Sequence, residues 1–208
     1  MRIRLLTAIF LFLSVGMMAQ NARKILDDTA ARIRQMGDVK VKFSATAFIG
    51  TTEQERTEGT ILLQGKKMCL TTDEMKMWYN GSTQWSLITG SGEVNVSTPT
   101  EREMAQMNPY SFLNVYRKGY KMSVRTTTLR GKEVYEVHLQ ARNAKSMAQE
   151  MYIDVARKDF NPLCVRVRQD NNWNRVSIQT IQGNQHFTDA TFEFPKSEYP
   201  NVDVIDLR

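Results

Sequence analysis

Apolar positions along this 208-residue chain recur first at helical spacing and then at every second residue. Ala22, Ile25, Leu26, Ala30, Ile33 and Met36 share one helical face, and Gly37 follows as a stop signal, which predicts a helix over 21–36. From residue 39 the period becomes two. Val39, Val41, Phe43, Ala45 and Ala47 alternate with Lys40, Lys42, Ser44 and Thr46. The same alternation marks 57–64, 67–72, 75–79, 83–88 and 93–96. It resumes at 120–128, 133–142, 149–155, 163–169 and 175–182, with 191–194 as a candidate last strand. Turn residues separate the runs. Asn80-Gly81 is the strongest hairpin signal, because both residue types tolerate positive φ.

Hairpin-scale spacing argues for one antiparallel meander of about 10–11 strands, and a meander that long must curl to bury a face. The expected class is mainly β (α+β): a single curled antiparallel sheet with an N-terminal helix. Residues 98–116 interrupt the alternation. Thr98 with Glu101 fits a capping box, Pro99 sits at a first helical position, and Asn108-Pro109 repeats the start signal. Met104, Met107, Phe112, Leu113 and Tyr116 form an apolar stripe, as the underside of a helical lid would. The strand runs carry Phe43, Leu63, Met68, Leu70, Trp78, Trp85, Tyr135, Tyr152 and Ile153. These side chains either pack as a solid core or line an apolar cavity beneath the lid. Alternation defines two faces and does not label the concave one.

Residues 1–19 read as an export signal: Arg2 and Arg4, an apolar run over 5–15, and small residues before a cut at Gln20. That run is shorter than the roughly 20 residues of a bilayer span. The remainder, 20–208, is expected to be one exported domain of mild positive charge. Its cations are scattered along strands rather than gathered for nucleic acid. Cys69 and Cys164 can form a disulfide only if their strands are neighbours. His138 and His186 have no partners at metal-site spacing, so neither a metal nor another cofactor is expected. No nucleophile elbow, zinc helix or phosphate loop is present, which argues against an enzyme.

The order of motifs carries a resemblance. Val41-Lys42-Phe43 is followed by Gly59-Thr60-Ile61-Leu62-Leu63, Asn80-Gly81-Ser82-Thr83-Gln84-Trp85 and the Asn108-Pro109-Tyr110 insert. The chain then closes with Phe192-Glu193-Phe194-Pro195 and Val202-Asp203-Val204-Ile205-Asp206. This resembles the LolA-like family of periplasmic outer-membrane lipoprotein carriers. The resemblance implies an unclosed β-barrel with a helical lid, holding lipoprotein acyl chains in an apolar cavity lined by Phe43, Leu63, Met68, Leu70, Trp78, Trp85 and Ile153. It also implies a monomer in a Gram-negative periplasm, loaded by an inner-membrane ABC lipoprotein exporter and unloaded to an outer-membrane acceptor. A sensor module of the same fold, binding lipid or lipoprotein, is the alternative; such a module would normally carry further domains. The chain departs from the family at one point. Where better-known carriers place Arg-Pro after the G-x-L strand, with that Arg latching the lid, this sequence has Gly65-Lys66-Lys67. Lid closure is then expected to rest on apolar contacts, with Lys66 or Lys67 as a substitute donor that lacks a bidentate fork.

Overall fold

A computed structural model of the protein describes residues 21–100, 103–104, 116–144, 146 and 148–208. The leader, Asn108-Pro109, Met107, Phe112 and Leu113 lie outside them. Helix α1 occupies 21–35 and buries Ala22, Ile25, Leu26 and Ala30, as the spacing predicts. Thr29 is buried among them, and its hydroxyl is satisfied by donating to the Ile25 carbonyl at 2.8 Å.

Strands β1 (Val39–Ile49), β2 (Thr52–Gln64), β3 (Lys67–Thr72), β4 (Met75–Tyr79), β5 (Gln84–Ile88) and β6 (Glu93–Ser97) follow. After residue 116 come β7 (Tyr120–Leu129), β8 (Lys132–Ala141), β9 (Glu150–Ala156), β10 (Pro162–Gln169), β11 (Asn172–Gln182) and β12 (Asp203–Asp206). All twelve join one sheet in the order β12-β6-β5-β4-β3-β2-β1-β11-β10-β9-β8-β7, which starts and ends on different strands and is therefore unclosed.

Three local expectations change. Residues 191–194 are not a strand: Asp189–Phe192 and Lys196–Glu198 form short 3-10 turns, which swing Phe192 into the interior. The last strand is β12, and it pairs parallel with β6. Residues 183–202 carry the chain from the end of β11 to this edge position beside β6. At the Asn80-Gly81 turn only Gly81 is left-handed (φ 104°). The Asn80 side chain instead accepts from the N–H groups of Ser82 (3.1 Å) and Thr83 (3.0 Å), an Asx turn that lengthens the loop. The capping box also moves. Thr100 donates its N–H to Glu103 at 2.7 Å and receives the Glu103 N–H on its hydroxyl at 3.3 Å. Both Thr98 and Thr100 stand three residues before a Glu, and the second pair closes the box.

The described chain packs as two compact units. One holds 21–32, 47–53 and 116–175; the other holds 33–46, 54–100, 103–104 and 176–208.

Candidate functional site

In the second unit, register sorts the strand residues onto two faces. Leu62, Cys69, Trp78, Trp85 and Val96 stand opposite one another across β2 to β6. The C-terminal segment covers this face. Trp78 meets Phe194 edge-on at 5.4 Å and Tyr199 at 5.9 Å, Phe187 meets Phe192 at 5.8 Å, and Phe192 is fully buried against Cys69 and Trp78. Such edge-to-face rings gain a further 0.5–1.5 kcal/mol or so beyond their buried area. The segment is tied down by Asp38, whose carboxylate accepts from the Phe187 N–H (2.9 Å) and from Gln64 (2.8 Å). Lys67 reaches Asp189 at 2.5 Å. The lysine considered as a lid donor thus bonds the C-terminal segment. Burial pushes the Cys69 thiol up from its ordinary value. No disulfide joins Cys69 to Cys164, which belongs to the other unit.

The opposite face of this unit carries Ile61, Leu70 and Met77 in one row and Leu63 and Met68 in the next. Ile61, Met68 and Met77 are fully buried, while Leu63 and Leu70 are half-buried. Phe43 belongs here as well. Gly59 lies beneath its ring, where an added Cβ would come within 2.8 Å of Phe43 Cζ and of the Thr71 carbonyl. The residues proposed from sequence therefore divide. Phe43, Leu63, Met68 and Leu70 share one face, and Trp78 and Trp85 occupy the other. Ile61 and Met77 went unnoticed in the sequence. Pairing the 67–72 and 75–79 runs in hairpin register would have found Met77, directly across from Leu70.

The first unit has its own apolar face. Val124, Val137, Ile153 and Val165 form one row, and Met122, Leu139, Met151 and Val167 the next. Ile153 thus lies here, among wholly apolar neighbours. Tyr116 is buried, and its hydroxyl donates to the Asp27 carboxylate on α1. Burial, reinforced by that bond, pushes its pKa up to about 12. Met104 is half-buried, one residue past the capping Glu103. Between α1 and β7 lies a cleft of about 500 Å³ whose walls include Ile25, Val124, Tyr135 and Phe160.

The other face of the first unit is polar. Glu136, 6 % exposed, accepts from Arg125 at 2.5 Å and from Arg166 at 2.6 Å. Burial alone would raise the Glu136 carboxyl, but the two guanidiniums outweigh it and hold it below the usual value. Asp154 is raised, because burial exceeds the pull of Arg166 at 3.6 Å. His138 stacks on Tyr152 (4.4 Å, 8°) and meets Glu150 at 2.8 Å, while Arg166 lies over the Tyr152 ring. No group of three metal-ligating side chains gathers among the described residues. No helix among them is long and apolar enough to cross a membrane.

The fold is thus an unclosed sheet with buried apolar rows. The family model described as outer membrane lipoprotein carrier protein LolA matches residues 13–171, and the chain belongs to that family. Among solved structures, the chain superposes on an uncharacterized conserved protein from Thermus thermophilus with TM-score 0.59 at 9% identity, covering 89% of this chain and 99% of that one. It is also similar to LprF from Mycobacterium bovis (TM-score 0.49, 9% identity, 85% and 97% covered). A LolA superfamily protein from Nitrosomonas europaea is a further likeness (TM-score 0.43, 10% identity, 83% and 97% covered). No protein of curated function matches the chain.

Proposed function

We propose that the protein is a non-enzymatic periplasmic carrier that holds the acyl chains of lipoproteins against an apolar sheet face and moves them from the inner to the outer membrane. Family membership carries this reading. The face bearing Phe43, Ile61, Leu63, Met68, Leu70 and Met77 supports it, because across β2 to β4 these residues form an apolar patch whose flexible thioethers conform to an irregular chain, bordered by Gln84 and Ser86 on β5. Within the second unit, Trp78 and Trp85 support the sheet from the opposite face. Each methylene taken from water contributes about 0.8 kcal/mol, so a few acyl chains suffice for firm holding. In this reading the 98–116 segment is the lid, with Met104, Met107, Phe112, Leu113 and Tyr116 beneath it. An inner-membrane ABC exporter loads the carrier and an outer-membrane acceptor unloads it.

The test is purification from a Gram-negative periplasm followed by mass spectrometry of bound material. Recovery of triacylated lipoproteins supports the carrier, and a preparation with nothing amphipathic bound refutes it. Met107→Asp and Phe112→Asp are expected to lose the bound lipid while the sheet keeps its circular-dichroism signal. Unchanged binding in both would remove the lid from the reading.

A further inference from the structure

We propose that the outer edge of β7, with the cleft beside α1, accepts an extended acidic peptide segment of a partner protein as an added strand. This inference does not depend on the acyl-carrier reading. β7 is the last strand of the sheet order, and among the described residues no strand pairs with its outer edge. It runs without a bulge from Tyr120, opposite Ala141, to Leu129, opposite Lys132, and it contains no proline. Alternate residues of such an edge present unpaired N–H and C=O groups, the template that strand addition uses.

The cleft beside it makes the edge specific. Val124, Arg125 and Thr126 all line it. Consecutive strand side chains point to opposite faces, and the Arg125 guanidinium is committed to Glu136 on the polar face. Val124 and Thr126 therefore face the cleft from one side of the outermost strand, with the Arg125 backbone between them. Facing that edge, α1 contributes Ile25 and Lys24. An aromatic wall completes the cleft. Phe160 holds a left-handed backbone (φ 55°), a costly conformation for a bulky residue, and stacks on Tyr135 at 6.3 Å. Strand addition along β7 would place one apolar side chain of the peptide between Ile25 and this aromatic pair.

Charge selects the occupant. Between 117 and 132 the chain has six cations, Arg117, Lys118, Lys121, Arg125, Arg130 and Lys132, all exposed, and no acid. The nearby carboxylates are already engaged: Asp28, which itself lines the cleft, with Lys24, Asp27 with the Tyr116 hydroxyl, Glu133 with Arg157, and Glu136 with Arg125 and Arg166. A second copy of β7 would set cations against cations, whereas an acidic strand meets Lys121 and Arg125 within β7 and further cations just beyond both of its ends.

The experiment titrates the purified protein with a short fluorescein-labelled peptide of alternating Glu and Val, followed by fluorescence polarisation and by amide hydrogen exchange. The expected result is saturable binding, with new protection confined to alternate residues within 120–129. Affinity should fall about tenfold between low and physiological salt, and a Lys–Val peptide should bind at least about tenfold more weakly. Thr126→Pro removes an edge N–H and is expected to abolish binding. Should that variant unfold, the exposed double variant Lys118→Glu/Lys121→Glu decides, with an expected loss of about tenfold. Absence of saturation, protection outside β7, or full affinity in the double variant would overturn the proposal. So would a dimer whose β7 amides are protected without peptide.

Discussion

Two sheet faces in this protein are buried by opposite chemistries. In the second unit, Trp78 and its neighbours are covered by aromatic side chains from the C-terminal segment. In the first unit, the polar face buries Glu136 and Asp154 beneath arginines and the His138–Tyr152 stack. The aromatic face gains free energy in proportion to area and tolerates local adjustment. The ionic face recovers a desolvation cost only while every partner is in place.

The sharpest way to break the aromatic side is Trp78→Ala, which empties a site only 3 % exposed. It is expected to lower unfolding stability by about 3–5 kcal/mol in urea titration. A loss under about 1 kcal/mol would mean that the C-terminal segment adds little to the fold. On the ionic side, Glu136→Gln should cost about 1.5–3 kcal/mol at neutral pH, because it leaves Arg125 and Arg166 without their carboxylate. The pH dependence has a definite sign. The Glu136 carboxyl is held below its ordinary 4.5, so its contribution is complete above that value and is lost as pH falls through the depressed folded value. Wild type and variant should therefore converge in acid. Asp154, whose pKa is raised above 3.8, works the other way and relieves part of the loss as it protonates.

Two smaller effects sharpen the comparison. Asp38→Ala removes the acceptor for Phe187 and Gln64 and should cost about 1–2 kcal/mol, with faster hydrogen exchange at the Phe187 amide. Lys67→Ala breaks an ion pair whose Asp189 partner is 80% exposed, and its effect on the melting midpoint should correspond to less than about 1 kcal/mol. A larger loss from Lys67 than from Asp38 would show that charge, rather than the buried carboxylate network, fastens the C-terminal segment.

Much of the fold was legible because period-two alternation is a local property. Strands β3 to β11 fall where the pattern places them, and α1 buries the apolar positions that its spacing names. The shifts have short-range causes. Thr98 and Thr100 offer equivalent capping patterns, and the Asn80 side chain competes with a tighter hairpin by bonding its own loop. The candidate site was legible in membership and not in arrangement. Phe43, Leu63, Met68 and Leu70 come together as one surface, while Trp78 and Trp85 belong to the other.

The sequence by itself determined strands β3 to β11, most turns, the helix face and the six cations, with no acid among them, between 117 and 132. Each of these depends on residues a few positions apart. Only the tertiary structure decided which face of the second unit is closed by aromatics, that Lys67 bonds Asp189, and that Cys69 sits beneath Phe192. Alternation gives a strand two equivalent sides, and they become different only when a segment 122 residues further along the chain settles on one of them.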